Sequence, residues 1–232
     1  MTVNTKEMNP ALSSLSHDYE QVVFLDANIL IVPDRSKIGG RQITFQKYRE
    51  YWLEPLFDAF PNLAVHESVY AELAAGAVKT FADEKKEEIP AGLRVFKDSE
   101  LTDREKNLFE MQIDKIAPFS GYIPERDNAK DRGEIRSLAY MAVKRYLYFA
   151  ANDRLPMQLI YKAEEMETGL EDIRLLQSYE ILYYLYKTGR YNNKGIRMLY
   201  KYQYYLTGQE KKQNPDWSSF ITAMDDLYGK AE

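Results

Sequence analysis

Four carboxylates in this chain stand where solvation alone does not explain an acid. Asp26 closes the apolar run "VVFLD", and Asp153 closes "YLYFAAND". Glu72 lies in "HESVYAEL" and Glu134 in "DRGEIRSLAYMA", with Asp131 three residues before it. Strand ends need turn residues, and Asp supplies turns, so either aspartate alone reads as turn chemistry. If the two strands are neighbours in a parallel sheet, both acids reach one sheet edge, and helix starts above that edge can send Glu72 and Glu134 into the same crevice. Asp131 and Glu134 share a helix face, so both are candidates. Glu67 and Glu72 fall about 140° apart on a helix, so one of them joins. Glu72 is the choice, because Val69 and Leu73 flank it at helical spacing.

Carboxylates gathered in one crevice repel, and keeping them ionised requires a cation. Oxygen donors suit hard divalent ions, which predicts Mg²⁺ or Mn²⁺ held by Asp26, Glu72, Asp131, Glu134 and Asp153. The matching chemistry is phosphodiester hydrolysis by metal-activated water. Around them, Asn28 and Asn152 either orient a water or carboxylate or simply cap and turn. Ser68 is a supporting hydroxyl or a helix N-cap. Arg132 and Arg154 either hold phosphate or balance surface charge. A phosphatase of the haloacid-dehalogenase type would want a second aspartate two residues after the first, where this chain has Asn28.

The rest of the composition narrows the alternatives. Cysteine is absent, which excludes thiolate catalysis, disulfides and cysteine–zinc sites, and only His17 and His66 supply imidazoles. Both read as ordinary packed or surface residues. No stretch approaches the roughly 20 apolar residues of a membrane span, and "MTVNTKEMNPALSS" lacks a signal core, so a soluble cytoplasmic protein without a membrane partner is expected. With 31 Lys plus Arg against 36 Asp plus Glu the formal charge is −5. Any nucleic-acid contact must therefore come from a local patch.

The elements that must position these acids follow from patterning. "QVVFLDANILIV" reads as a strand covered on both faces, "RQITFQKYREYWLEPLFDAF" as a helix, "NLAV" as a strand and "HESVYAELAAGA" as a helix. The run "DEKKEE" is a solvated face. Thr102 and Glu105 form a capping box that starts a helix, "DRGEIRSLAYMAVKRY" is another, and "YLYFAANDRLP" is a strand ending at Asn152 and Asp153. Strands alternating with helices predict parallel βαβ units.

The motifs "VVFLDANILI", "SVYAEL", "DRGEIRSLAYMA" and "FAANDR", in that order and over roughly residues 20 to 185, resemble the PIN-domain nuclease family. That family includes the toxins of many bacterial toxin–antitoxin pairs. The resemblance implies a three-layer α/β/α sandwich with a mostly parallel sheet. It also implies that Asp26, Glu72, Glu134 and Asp153 bind Mg²⁺ or Mn²⁺ and cut RNA, and it leaves open an antitoxin protein and a homodimer as partners. The third motif offers both Asp131 and Glu134, and Asn152 stands where Ser or Thr is usual. A PIN-like RNA- or protein-binding module without activity is the alternative.

The expected organisation is a leader over 1–20, a nuclease domain over 21–186 and a helical extension over 187–232 packed on the core. In the extension, "LLQSYEILYYLYKTG" and "KGIRMLYKYQYYLTG" are expected to be helices closed by Gly189 and Gly208, and "NPDWSSFITAMDDLYG" a third, capped by Asn214. From Lys187 to Lys212 the cations Lys187, Arg190, Lys194, Arg197, Lys201, Lys211 and Lys212 meet the single acid Glu210, with tyrosines interleaved. Arg190, Lys194 and Arg197 are candidate RNA contacts, whereas packing is the favoured role for the tyrosines.

Overall fold

The computed structural model describes residues 2–229. The chain begins with α1 (Pro10–His17), which Asn9 caps by accepting the Ala11 N–H, with proline in the first turn where its missing N–H costs nothing. The expected loose leader therefore contains a helix whose Ala11 and Leu15 are fully buried. β1 (Val23–Leu25) follows, and Asp26 begins the short α2 (Ala27–Leu30). The helix expected over 41–60 forms as α3 (Phe45–Tyr48) and α4 (Glu54–Ala59), joined by a π-helical turn at Arg49–Leu53. Pro55 accounts for the widened turn, since proline cannot donate to the helical ladder and its ring crowds the preceding turn.

β2 (Leu63–His66) leads into α5 (Glu67–Glu72). The charged middle holds α6 (Ala77–Glu87), on which "DEKKEE" is mostly exposed, and β3 (Leu93–Phe96), which the sequence reading omits. α7 (Asp103–Ile116) starts at the expected capping box, where Glu105 Oε2 accepts the Thr102 N–H at 2.8 Å. α8 (Arg132–Lys144), β4 (Tyr148–Ala150), α9 (Arg154–Tyr161) and β5 (Arg174–Leu176) complete this part. β5 is a correction: Leu175 and Leu176, expected in the following helix, pair with Phe149 and Ala150 of β4.

The C-terminal helices are α10 (Ser178–Lys187), α11 (Asn193–Tyr204), α12 (Gly208–Gln213) and α13 (Trp217–Tyr228). Gly189 lies just beyond α10 at φ +67°, as a left-handed helix-closing residue does. Gly208 instead opens α12 behind a Thr207 cap, and Asp216 rather than Asn214 caps α13. Asn214 is buried, accepting the Val3 N–H at 2.8 Å and donating to the Tyr204 carbonyl at 2.7 Å.

The chain forms two compact units whose limits differ from the expected domains. One comprises residues 20–31 and 61–176 and carries the sheet. The other gathers 2–19, 32–60 and 177–229. Its core is aromatic: Tyr200 stacks on Phe220 with ring centroids 4.4 Å apart, and Tyr179 and Trp217 meet the same cluster edge-on or tilted. The buried Tyr200 and Tyr204 thus serve packing.

All five strands are parallel, in the order β3-β2-β1-β4-β5. Every residue of β1, β2 and β4 is buried, so both sheet faces are covered, as in a three-layer α/β/α sandwich. Phe24, Ala64, Phe149 and Leu175 share one face and pack against Phe109, Ile113, Ile135 and Leu138 from α7 and α8. The chain runs outward from β1 through β2 to β3, then restarts on the other side of β1 with β4. The reversal falls between β1 and β4, and in open parallel sheets that switch point opens a crevice at the carboxyl ends of the strands.

Candidate metal centre

Asp26 and Asp153 are the residues that β1 and β4 deliver to this crevice. The pairing of Leu25 with Ala150 puts the two strand ends level, and the Asp26 N–H donates to the Ala150 carbonyl at 2.9 Å. Both aspartates occupy N-cap positions, of α2 and α9, yet neither side chain makes the capping hydrogen bond that turn chemistry predicts. Glu134, in the first turn of α8, joins them: one carboxylate oxygen from each of Asp26, Glu134 and Asp153 lies within 4.8 Å of the others. Three oxygens so placed can hold a metal ion.

Asp26 is 2 % exposed, and its Oδ1 has no hydrogen-bond partner. Burial raises its pKa well above the usual carboxylate range, and the charges of Glu134 and Asp153 push the same way. Glu134 is pushed up to about 7, first by burial and then by the charges of Glu72, Asp131 and Asp153. A cation removes both causes of strain: it partners the orphaned oxygen and replaces repulsion by attraction.

Glu72 stands at the rim of this trio. Its Oε1 accepts the Gly133 N–H at 3.0 Å, which fixes it one residue from Glu134 along α8, and burial raises its pKa. The contact needs glycine, since a Cβ at position 133 would overlap the Glu72 carboxylate. Glu67 points elsewhere and accepts the Asp98 N–H at 2.9 Å. Asp131 is not brought into the trio. It sits in the left-handed region at φ 56°, and its Oδ2 accepts the Gly121 N–H at 2.6 Å, so it ties down the loop before α8 while raising the pKa of Glu72 and Glu134.

Among the flanking residues, Asn28 Oδ1 accepts the Asn152 N–H at 3.2 Å, clipping the turn after β1 to the turn after β4, while its Nδ2 is buried without a partner. Ser68 is not the N-cap of α5. His66 is, accepting the Ser68 N–H on Nδ1 at 3.2 Å, with the Ser68 hydroxyl 2.6 Å from the same nitrogen. Arg132 lies 3.4 Å from Asp127, leaves its Nε buried and unpaired, and draws the Glu72 pKa down. Arg154 is exposed directly after Asp153.

Sequence reasoning passes over one further cluster, His66, Glu67 and Asp98, whose ligand atoms also lie within 4.8 Å of one another. Its members already satisfy one another. With Nδ1 accepting, His66 donates from Nε2 to Asp98 Oδ1 at 2.9 Å, and Asp98 also pairs with Arg136 of α8. This network pins α8 to the end of β3 two residues beyond Glu134. Gly133 and Asp98 carry no motif of their own; the glycine at a helix start in "DRGEI" is the one available signal, and it marks close approach by another chain segment.

Among the described residues no helix is long and apolar enough to cross a membrane. A scan against protein-family models, a search of curated proteins and a search of solved structures each return no match for this chain.

Proposed function

We propose that the chain is a divalent-metal-dependent endoribonuclease of PIN-like design, with Asp26, Glu134 and Asp153 holding Mg²⁺ or Mn²⁺ and Glu72 assisting from the rim. The observation that carries this reading is the orphaned, buried Oδ1 of Asp26 facing two further carboxylates at a switch-point crevice. When bound, the ion supplies Lewis acidity at the phosphodiester and lowers the pKa of water.

The chain's own residues set up the rest. Asp26 and Asp153 are fixed relative to each other by the β1–β4 pairing and by the Asn28 clip. Glu134, pushed up to about 7 in the metal-free chain, would give up its proton as an ion binds. The unpaired Nε of Arg132 and Nδ2 of Asn28 are donors suited to phosphate oxygens. RNA is the proposed substrate on the strength of the family resemblance, and so is an antitoxin as partner.

The test is incubation of the protein with mixed RNA and matched single-stranded DNA, in Mn²⁺ or Mg²⁺ and then in EDTA, alongside Asp26→Asn and Asp153→Asn. Metal-dependent RNA cleavage that both substitutions abolish is expected. RNA left equally intact by wild type and variants under every metal would overturn the reading and favour a binding module.

A further inference from the structure

The second unit carries a cavity that no part of the nuclease reading uses. It has a volume of about 430 Å³ and lies between the segment that enters α3 and the outer face of α11. Ile43, Met198 and Leu206 form an apolar floor beside the ring of Tyr202, and Arg41 and Lys47 supply its charge. No carboxylate lines it. Tyr202 is held from behind, its hydroxyl donating to the Pro33 carbonyl at 2.9 Å and accepting the Arg35 N–H at 3.2 Å, so the ring does not have to be ordered on binding.

Arg41 and Lys47 are exposed, and neither forms an ion pair among the described residues. Two more unpaired cations adjoin them: Lys194 and Lys201 fall within about 60° of Met198 around α11 by the helical period, and both are exposed. Arg197 is turned further away and lies close enough to Asp216 to draw its pKa down. Arg190 lies 3.8 Å from Asp58. The charge around the cavity therefore rests on Arg41, Lys47, Lys194 and Lys201, a set that only partly coincides with the cations singled out in the sequence.

An apolar floor beside an aromatic ring, with exposed unpaired cations and no carboxylate in its lining, suits a group that is planar and apolar on its faces and anionic at its edge. The volume falls in the range of about 300–1,000 Å³ that small-ligand cavities occupy, which admits one nucleotide, and a base can reach such a floor only when it is unpaired and unstacked. We infer that this cavity is a nucleotide subsite for single-stranded RNA, with one base against Ile43, Met198 and Tyr202 and the flanking phosphates on Arg41, Lys47, Lys194 and Lys201. It shares its partner with the proposed nuclease but stands on separate residues, and it operates without a metal ion.

The experiment is fluorescence anisotropy of a labelled single-stranded oligoribonucleotide titrated with the full chain in EDTA, over a series of salt concentrations. The paired charge reversal Arg41→Glu with Lys47→Glu should weaken binding about tenfold or more and reduce the salt slope by about 1.4, the value for two phosphate contacts on a single strand. Lys194→Glu with Lys201→Glu should act in the same direction, while Arg104→Glu with Lys106→Glu on α7 should leave affinity unchanged. Circular dichroism establishes that each variant folds, and Arg41→Gln with Lys47→Gln provides a milder pair should the reversal not fold. An unchanged affinity and slope in the folded groove variant, an equal loss in the α7 variant, or equally tight binding of a duplex would each overturn the subsite. Binding that behaves as expected in a chain that never cleaves RNA would leave the subsite standing and remove the nuclease reading alone.

Discussion

Two glutamates, one in each unit, the buried Glu180 and the half-buried Glu134, carry pKa values pushed up to about 7 mainly by desolvation, and they differ in everything else. Glu180, 3 % exposed in α10, is fully engaged: Oε1 accepts from Asn9 Nδ2 at 2.8 Å and Oε2 from the Gln177 N–H at 2.8 Å. Glu134 faces the carboxylates of Asp26 and Asp153, and Asp26 Oδ1 has no partner. A raised pKa alone therefore does not mark a carboxylate as part of a candidate metal site. The surroundings do: donors converge on Glu180, whereas further acids converge on Glu134.

Substitution should separate the two most sharply in activity. Asp26→Asn should lower metal-dependent cleavage roughly a hundredfold or more while the folded chain persists, since it removes a ligand and a repulsive charge together. Glu180→Gln should leave cleavage within about twofold, measured in the same assay, because it retains an acceptor for Asn9. A Glu180→Gln chain as inactive as Asp26→Asn would erase the contrast.

In stability the signs should be opposite. Glu180→Ala removes the acceptor shared by Asn9 and the Gln177 N–H and leaves a void behind, at a cost of about 3 kcal/mol. Glu134→Gln should stabilise the metal-free chain at pH 8 by on the order of 1–2 kcal/mol, because it removes a charge that desolvation and the neighbouring carboxylates both disfavour. Chemical denaturation in EDTA measures both, and a destabilised Glu134→Gln chain would mean that Glu134 is held by contacts rather than strained.

The pH dependence sharpens the same point. Between about pH 4.5 and 7 both glutamates hold protons in the folded chain that they release when unfolded, so metal-free stability should fall as pH rises through that window. Saturating Mn²⁺ should cancel the part due to Glu134 and leave the part due to Glu180. Metal affinity should accordingly rise with pH through about 7, a trend that calorimetric titration at pH 6 and pH 8 would detect as tighter binding with proton release. The smallest effect expected is that of Gly133→Ala. Displacing Glu72 should weaken metal binding about tenfold, with little change in melting temperature, since alanine favours the helix that its Cβ disturbs.

Much of this contrast is legible in the sequence, and unevenly so. Asp26 and Asp153 stand out because each ends an apolar run, a local pattern that also fixes their strands. The helix over 132–144 and the Thr102 capping box are equally local. β3 and β5 are not, because each is short and is defined by a neighbour: Leu175 and Leu176 run without a break into helical sequence, and only pairing with Phe149 and Ala150 makes them a strand. Asp131 and Glu134 are equivalent by spacing, and the left-handed backbone at Asp131, which turns it toward Gly121, carries no motif. The membership of 32–60 with the C-terminal helices is likewise tertiary, resting on contacts such as Tyr202 to Pro33 and Arg35 to Glu210.

The position of β4 beside β1 has a consequence for how the protein is made. Asp26 leaves the ribosome early and Glu134 much later, but the strand that sets Asp153 against Asp26 ends at Ala150. A nascent chain that has not yet released β4 contains Asp26, Glu72 and Glu134 but lacks the strand that sets Asp153 beside Asp26. The full cluster is therefore completed only after β4 has been synthesised, and a translation product that stops before β4 carries three of the motifs without it.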